Sequence, residues 1–251
     1  MSSWSNRRRL AYGGTLVVIT LAVVGYIVFS FVYKAPTCFD GLRNGNETGV
    51  DCGGSCQRLC PSAFVSPSVS WTSFEELAPG LYNASAYIVN HNDTVEAIGV
   101  PFHIVLYDSS GQEIVDVPGT VHIPPHRNTL AFISSIPVGQ KVPYRAFFEF
   151  TGTPDWKKRS DTLTSLAIGN KKYTEDVSGS SLMVTLKNTA VAPLGKMSVY
   201  VILSDINANI IGFSKTIVDG IAGLGSVQAP FTWQENRRGK VISIEVLPVA
   251  E

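Results

Sequence analysis

Charge is absent from Leu10 to Tyr33, a run of about 24 residues, close to the roughly 20 that a helix needs to cross the hydrocarbon of a bilayer. That absence excludes a solvated segment and predicts a transmembrane helix over residues 10–33, in contact with membrane lipid. Small residues are missing where the run ends, at Phe31-Val32-Tyr33-Lys34, whereas a cleaved signal peptide has a shorter apolar core and a small-residue cleavage site. The anchor is therefore read as uncleaved. Lys34-Ala35-Pro36-Thr37 ahead of Cys38 also lacks the small residues of a lipoprotein signal. Arg7, Arg8 and Arg9 precede the run and Lys34 alone follows it. By the positive-inside bias, residues 1–9 form a cytoplasmic tail and the C-terminus lies outside a single-pass cell-membrane protein.

Cysteine is missing everywhere except between Cys38 and Cys60, where all four cysteines lie. An even number packed into a short polar segment on the exported side suits disulfides among Cys38, Cys52, Cys56 and Cys60, and residues 34–62 read as a cysteine-rich juxtamembrane segment. Three pairings are open. The segment is too small and too rich in Gly, Asn and Asp for an apolar core, so cross-links must hold it. The tight C-x₂₋₄-C pairing of common zinc modules is absent, and Gly53-Gly54 opposes a helix that would line up Cys52, Cys56 and Cys60. Excess basic charge is lacking as well. Removing the three N-terminal arginines from the 20 basic residues leaves 17 against 20 acidic ones, which argues against nucleic acid as a partner.

The run from Cys38 to Cys56, with Asp40, Gly41, Asn44, Gly45, Glu47, Gly49, Asp51, Cys52, Gly53 and Gly54 in place, resembles the C-x-D-G-x-x-N-G-x-E-x-G-x-D-C-G-G-x-C module of secreted and surface bacterial proteins. The resemblance implies surface location. Asp40, Asn44, Asn46, Glu47 and Asp51 also offer hard oxygen ligands for calcium, loosely like the acidic loops of thrombospondin type-3 repeats. The EF-hand order is not met. The alternative reading of these residues is turn formation between disulfides, with no cofactor.

Past Cys60 there is no long amphipathic helical pattern. Short runs of Val, Ile, Phe, Tyr and Thr alternate with turn residues, which predicts a mainly β fold. Phe102, Ile104 and Leu106 share one face of a strand, Asp108-Ser109-Ser110-Gly111 turns the chain, and Glu113-Ile114-Val115 returns. Val199, Val201 and Leu203 repeat the pattern, with Asp205 and Ala208 at the turn. Tyr87-Ile88-Val89-Asn90 matches Thr185-Leu186-Lys187-Asn188, and Leu130-Ala131-Phe132 matches Ala229-Pro230-Phe231. Self-similarity over about 90 residues predicts duplicated domains rather than a solenoid, placed at residues 63–158 and 159–251. Asp108, Gly111 and Asp205 are read as structural turn residues, the aspartates accepting backbone N–H groups. Trp71, Trp156 and Trp233 are assigned to core or inter-domain packing.

Val105-Leu106-Tyr107-Asp108 with Gly111 resembles the motif of FxLYD-type immunoglobulin-like β-sandwiches of bacterial envelope proteins. The second copy departs from it at Ser204 and Ala208. The resemblance implies two tandem immunoglobulin-like sandwiches, and the chain as a whole resembles anchored proteins of bacteria with reduced genomes.

Catalytic signatures are missing. No H-E-x-x-H helix, exposed cysteine nucleophile or G-x-S-x-G elbow occurs, and Asp219-Gly220-Ile221-Ala222-Gly223-Leu224-Gly225 lacks the lysine and serine of a P-loop, so it reads as an inter-strand loop. The four histidines, His91, His103, His122 and His126, all lie in the first copy. His103 alternates with Phe102 and Ile104 and is expected to face away from the core. Asn46, Asn83 and Asn92 head glycosylation sequons. The expectation is a non-enzymatic cell-envelope scaffold or interaction protein, with an envelope protein as partner. Two alternatives are an accessory subunit whose helix packs on partners through Gly13, Gly14 and Thr15, and a metal-dependent hydrolase or calcium-responsive module built on His122, His126 or the acidic loop.

Overall fold

The computed structural model describes residues 3–32, 36–177, 179–234 and 239–251, with the side chains of residues 3, 5, 6, 31 and 32 left aside. The chain forms two compact units, Met1–Cys56 and Gln57–Glu251.

The first unit opens with one helix, α1 (Ser3–Val32). It starts seven residues before the expected Leu10, because nothing between Ser3 and Arg9 is a proline or glycine that would stop it. Tyr33, the expected end of the span, lies outside the described residues. Within α1, Arg7–Ser30 is long and apolar enough to cross a membrane. Thr15, Thr20 and Ser30 donate their hydroxyls to the carbonyls of Ala11, Leu16 and Tyr26 at 2.8, 2.9 and 2.8 Å, so these polar groups are satisfied inside the helix, as a lipid environment requires.

The second unit is mainly β. Its strands are β1 (Ser68–Ala78), β2 (Leu81–Val89), β3 (Val95–Tyr107), β4 (Glu113–Ile123), β5 (Thr129–Pro137), β6 (Arg145–Phe150), β7 (Trp156–Lys158), β8 (Leu166–Asp176), β9 (Gly179–Asn188), β10 (Met197–Ser204), β11 (Ile210–Val218), β12 (Ser226–Trp233) and β13 (Ser243–Ala250). They pair antiparallel in sheets ordered β1-β2-β5, β4-β3-β6 with β7 on β3, β11-β10-β13 and β12-β9-β8. With β8 matched to β1 and so on through β13 and β6, both copies have the same strand order. Each copy packs its two sheets around its own core, one centred on Ile88, Phe102, Ile104 and Trp156, the other on Leu182, Leu186, Val201 and Phe231. This is the β-sandwich solution for strands apolar on one face.

A third apolar cluster joins the two sandwiches. Leu130 is buried with Tyr200, Ile202, Phe213, Leu247 and Val249, and Trp71, Tyr87 and Phe132 pack on it. These residues lie on the sides of β1-β2-β5 and of β11-β10-β13 that face away from their own cores, so the two sheets meet face to face. Phe132 stands edge-on to Phe213 at 6.0 Å between centroids, and Trp71 lies 6.5 Å from Phe213. Burial follows from the layering. In β10 the seven residues Met197–Leu203 are buried without interruption, while β9 and β12 alternate buried and exposed, as expected of a sheet covered on both faces and one covered on a single face. Tyr87 donates its hydroxyl to Glu245 at 2.8 Å across this junction. Burial pushes the Tyr200 phenol up to about 12.

The linker is pinned on both sides. The Arg159 N–H donates to the Thr94 carbonyl at 2.9 Å, and its guanidinium donates to the buried Glu96 carboxylate at 3.0 Å. Arg127 holds Asp161 through two nitrogens at 2.9 and 2.7 Å. Burial pushes the Asp161 carboxyl up, but hydrogen bonds from Arg127 and the Leu163 N–H outweigh it and hold the group below the usual carboxylate range.

The duplication extends to side-chain devices. Asn90 accepts the Asn92 N–H at 3.0 Å and donates to the Val95 and Pro124 carbonyls at 3.2 and 2.6 Å. Asn188 accepts the Ala190 N–H at 3.0 Å and donates to the Ala192 and Ile221 carbonyls at 2.7 and 3.4 Å. Asp108 accepts the Ser110 and Gln112 N–H groups, both at 2.9 Å, and Asp205 accepts those of Asn207 and Asn209 at 2.9 and 2.8 Å. A hydrogen bond from Ser110 lowers the Asp108 carboxyl below its ordinary value, and one from Asn209 does the same for Asp205. Downstream, the register moves the expected match by one residue. Leu130 pairs with Tyr87 and Gln228 with Thr185, so Leu130–Phe132 corresponds to Gln228–Pro230.

The departure at the second hairpin has a cost. Gly111 sits at φ 82° and Ala208, its counterpart, at φ 61°, a left-handed conformation that disfavours any residue with a Cβ. Ala208→Gly is expected to stabilise the full chain by about 0.5–1 kcal/mol, and Gly111→Ala to destabilise it by a similar amount. Urea unfolding in detergent micelles checks both.

Candidate functional site

In the cysteine-rich segment, Cys38 and Cys56 form a disulfide with Cα atoms 5.7 Å apart. Cys52 and Cys60 are also disulfide-bonded, and no described cysteine is free. Closing the loop between Cys38 and Cys56 is worth about 3 kcal/mol on a chain-entropy account. No helix carries Cys52 or Cys56, which lie in turns joined by a Gly49–Cys52 bridge.

The acidic residues of this module turn inward, toward backbone N–H groups. Asp51 accepts the N–H groups of Asp40 and Gly41 at 2.9 and 3.0 Å, and Glu47 accepts those of Asn44 and Asp51 at 3.2 and 3.3 Å. Asp40 accepts the Asn44 side-chain amide at 2.9 Å and the Leu42 N–H at 3.0 Å, and the Asn44 bond holds its carboxyl below the ordinary value. Asn46 is exposed, and its carbonyl crowds the position a Cβ on Gly54 would take, with Gly54 at φ 59°. Of the five expected calcium ligands, Asp40, Asn44, Glu47 and Asp51 are thus brought together: the three carboxylates accept hydrogen bonds within the module, while the buried Asn44 Oδ1 has no hydrogen-bond partner. Among the described residues, Cys38, Glu47 and Cys56 form the one group of three ligand-type side chains within 4.8 Å of one another. Both of its sulfurs are taken by the disulfide, which leaves no thiolate for a metal.

The histidines are dispersed among cross-strand ties. His122 meets the Ala250 carbonyl through Nδ1 at 2.8 Å and Glu96 through Nε2 at 3.2 Å. His126 meets Asp93 at 2.9 Å, and His91 meets Ser68 at 2.9 Å. His103 lies on the outer face of β4-β3-β6 between Asp116 at 3.1 Å and Glu149 at 3.5 Å. The bond to Asp116 raises its pKa above the ordinary histidine value. The Asn83 sequon runs inside β2, where Asn83 and Ser85 are buried, so that amide is closed to glycosylation in the folded protein.

The outer face of β12-β9-β8 carries a shallow concavity of about 440 Å³, lined by Lys172, Thr174, Met183, Thr185, Gln228 and Pro230 among others. It is rich in hydroxyl and amide groups. At its rim, β8 is an edge strand of 11 residues, mostly exposed, and among the described residues no strand pairs with its outer side. A bulge between Ile168 and Lys171 and the exposed Lys171 and Lys172 interrupt that edge, devices that restrain indiscriminate strand pairing. The alternation of β9 and β12 marks this face in the sequence. The bulge is not marked there.

No family model matches the chain, and no curated protein matches it significantly. Among solved structures, red sea bream transglutaminase aligns over 72% of this chain and 29% of its own, at 12% identity and a TM-score of 0.27. A Bacteroides uniformis β-glucuronidase aligns over 69% and 26%, at 10% identity and 0.21. The CBM22-1–CBM22-2 tandem of Paenibacillus barcinonensis Xyn10C aligns over 74% and 83%, at 7% identity and 0.14. This chain spans under a third of the first two. Scores this low carry no argument about either fold family or function.

Proposed function

We propose that the protein is a non-enzymatic scaffold of the cell envelope. Residues 1–9 lie in the cytoplasm, α1 beyond Arg9 spans the cell membrane, and two immunoglobulin-like sandwiches of the FxLYD type stand outside it as one fixed pair that binds an envelope protein. The observation that carries this reading is the apolar junction centred on Phe213 and Leu130. It fixes the second sandwich on the first and leaves the concave outer face of β12-β9-β8, with the β8 edge, turned to solvent. A polar concave face beside an edge strand suits a protein partner that adds a strand or lays a loop across the sheet.

Affinity purification of the full-length protein from its own membranes, with mass spectrometry of partners and elemental analysis of the same sample, tests the proposal. The expected result is a reproducible envelope protein, lost on Thr185→Glu with Gln228→Glu, and no stoichiometric metal. Stoichiometric calcium or zinc without a partner would overturn it in favour of a metal-dependent role for the acidic loop or the histidines.

A further inference from the structure

In most small folded modules apolar side chains are inside and carboxylates outside. The cysteine-rich module of this chain has the reverse arrangement. Phe39 is 91% exposed, Leu42 60% and Val50 55%, while Asp40, Glu47 and Asp51 are half-buried and Cys52 and Cys56 buried. The two backbone stretches that carry them are held side by side, because Asp51, next to Val50, takes the N–H groups of Asp40 and Gly41 in the turn that carries Phe39 and Leu42. The exposed Arg43 follows Leu42 directly. Phe39 lies seven residues beyond Val32, the last residue of α1, so even a fully extended chain keeps it within about 25 Å of the helix end. The acyl boundary beneath the head groups of a bilayer is the nearest apolar medium within reach of such a tether.

We propose that Phe39, Leu42 and Val50 insert into the outer interfacial layer of the membrane, with Arg43 at the phosphates, so that the disulfide-bonded module lies on the bilayer. The inference rests on α1 being a membrane anchor. Apolar tips on a rigid loop gain burial in the acyl boundary without ordering the chain further, since the disulfide and the inward carboxylates have already fixed the loop.

The test uses the unaltered full chain in vesicles that contain a phospholipid with a diazirine near the carbonyl end of its acyl chain. After photolysis, reduction and tryptic digestion, adducts are mapped on residues 10–34, 35–43, 44–58 and 128–141. The expected result is labelling of the first three peptides and none of the fourth, with the 35–43 adduct reduced severalfold in Phe39→Asp. Labelling of 10–34 alone would overturn the proposal and leave the anchor standing. Absence of labelling from 10–34 would overturn the anchor, and this inference with it.

Discussion

Phe213→Ala is expected to destabilise the full-length protein by about 3–5 kcal/mol, the usual cost of truncating a fully buried aromatic side chain. Phe213 is 1% exposed, and its ring meets Trp71 and Phe132 of the other sandwich. The loss should therefore appear in both sandwiches. Phenolate titration separates a coupled junction from a local cavity. Tyr200 is pushed up to about 12 by burial, and Tyr87 to about 12 by burial and by Glu245. A phenol whose folded value lies above its unfolded value of about 10 stabilises the fold fully below pH 10, and that contribution is lost as pH rises toward 12. For the well-buried Tyr200 it amounts to about 2–3 kcal/mol, and for the half-exposed Tyr87 to less. In Phe213→Ala both phenols should ionise nearer pH 10. Tyr87 belongs to the first sandwich, so a Tyr87 that still titrates near 12 in the variant would show that the two sandwiches do not depend on this contact.

The two cores were the legible part of the sequence. Phe102, Ile104 and Leu106 point into the first core and Val199, Val201 and Leu203 into the second, as period-two alternation requires. The junction was harder to read because alternation names only one face. Tyr200 and Ile202 sit between the alternating core residues and are buried by the other sandwich. The unbroken apolar run Val199-Tyr200-Val201-Ile202-Leu203 was the available signal, since a strand covered on one face has no reason to be apolar on both. β7, three residues of which two are lysines, has no pattern to read and exists because Ala97 and Trp156 pair at the start of β3. The cysteine pairing and the direction of the carboxylates in residues 40–51 depend on backbone turns, and the same residue types suit a cation or a turn equally well.

The same equivalences distinguish the junction from the two sheet faces outside it. His103 occupies the place of Tyr200, and its cross-strand neighbour Glu149 that of Leu247. Asp116 pairs with Val105 as Phe213 pairs with Ile202. The apolar surface that the second sandwich offers to the first is thus replaced, on the first sandwich, by a hydrogen-bonded His103–Asp116–Glu149 group. At the other end, Thr185, Gln228 and Pro230 stand where the first sandwich has Tyr87, Leu130 and Phe132. At these positions both outer faces are polar where the junction is apolar, although Phe147, 47% exposed, stands where the second sandwich has Glu245. Polar groups at these positions disfavour a head-to-tail repeat of the junction between chains, which would be open-ended.

Asn188→Ala should cost about 1–3 kcal/mol, more than its side-chain volume suggests, because it removes a buried side chain that bonds three backbone groups at once. Asn188 is 0% exposed. Its amide ties the turn after β9 to the loop before β12, bonding Ala190 N–H and the carbonyls of Ala192 and Ile221, and that loop is the glycine-rich Asp219–Gly225 stretch with no sheet pairing beyond a Leu194–Ile221 bridge. Removing the amide takes away one side-chain tie from a loop that backbone bonds also hold, among them Leu194 N–H to the Ile221 carbonyl at 2.9 Å and Leu224 N–H to the Ala190 carbonyl at 2.8 Å. Asn90→Ala should cost a similar amount in the first sandwich, since Asn90 ties the Asn92 N–H to the carbonyls of Val95 and Pro124 in the same way. Hydrogen exchange distinguishes this from a general loss of stability. In Asn188→Ala the amides of Ala190, Leu194 and Ile221 should lose protection first, while those of β2 and β3 keep theirs. Equal loss across both sandwiches would mean that the asparagine acts through the junction rather than through its own turn.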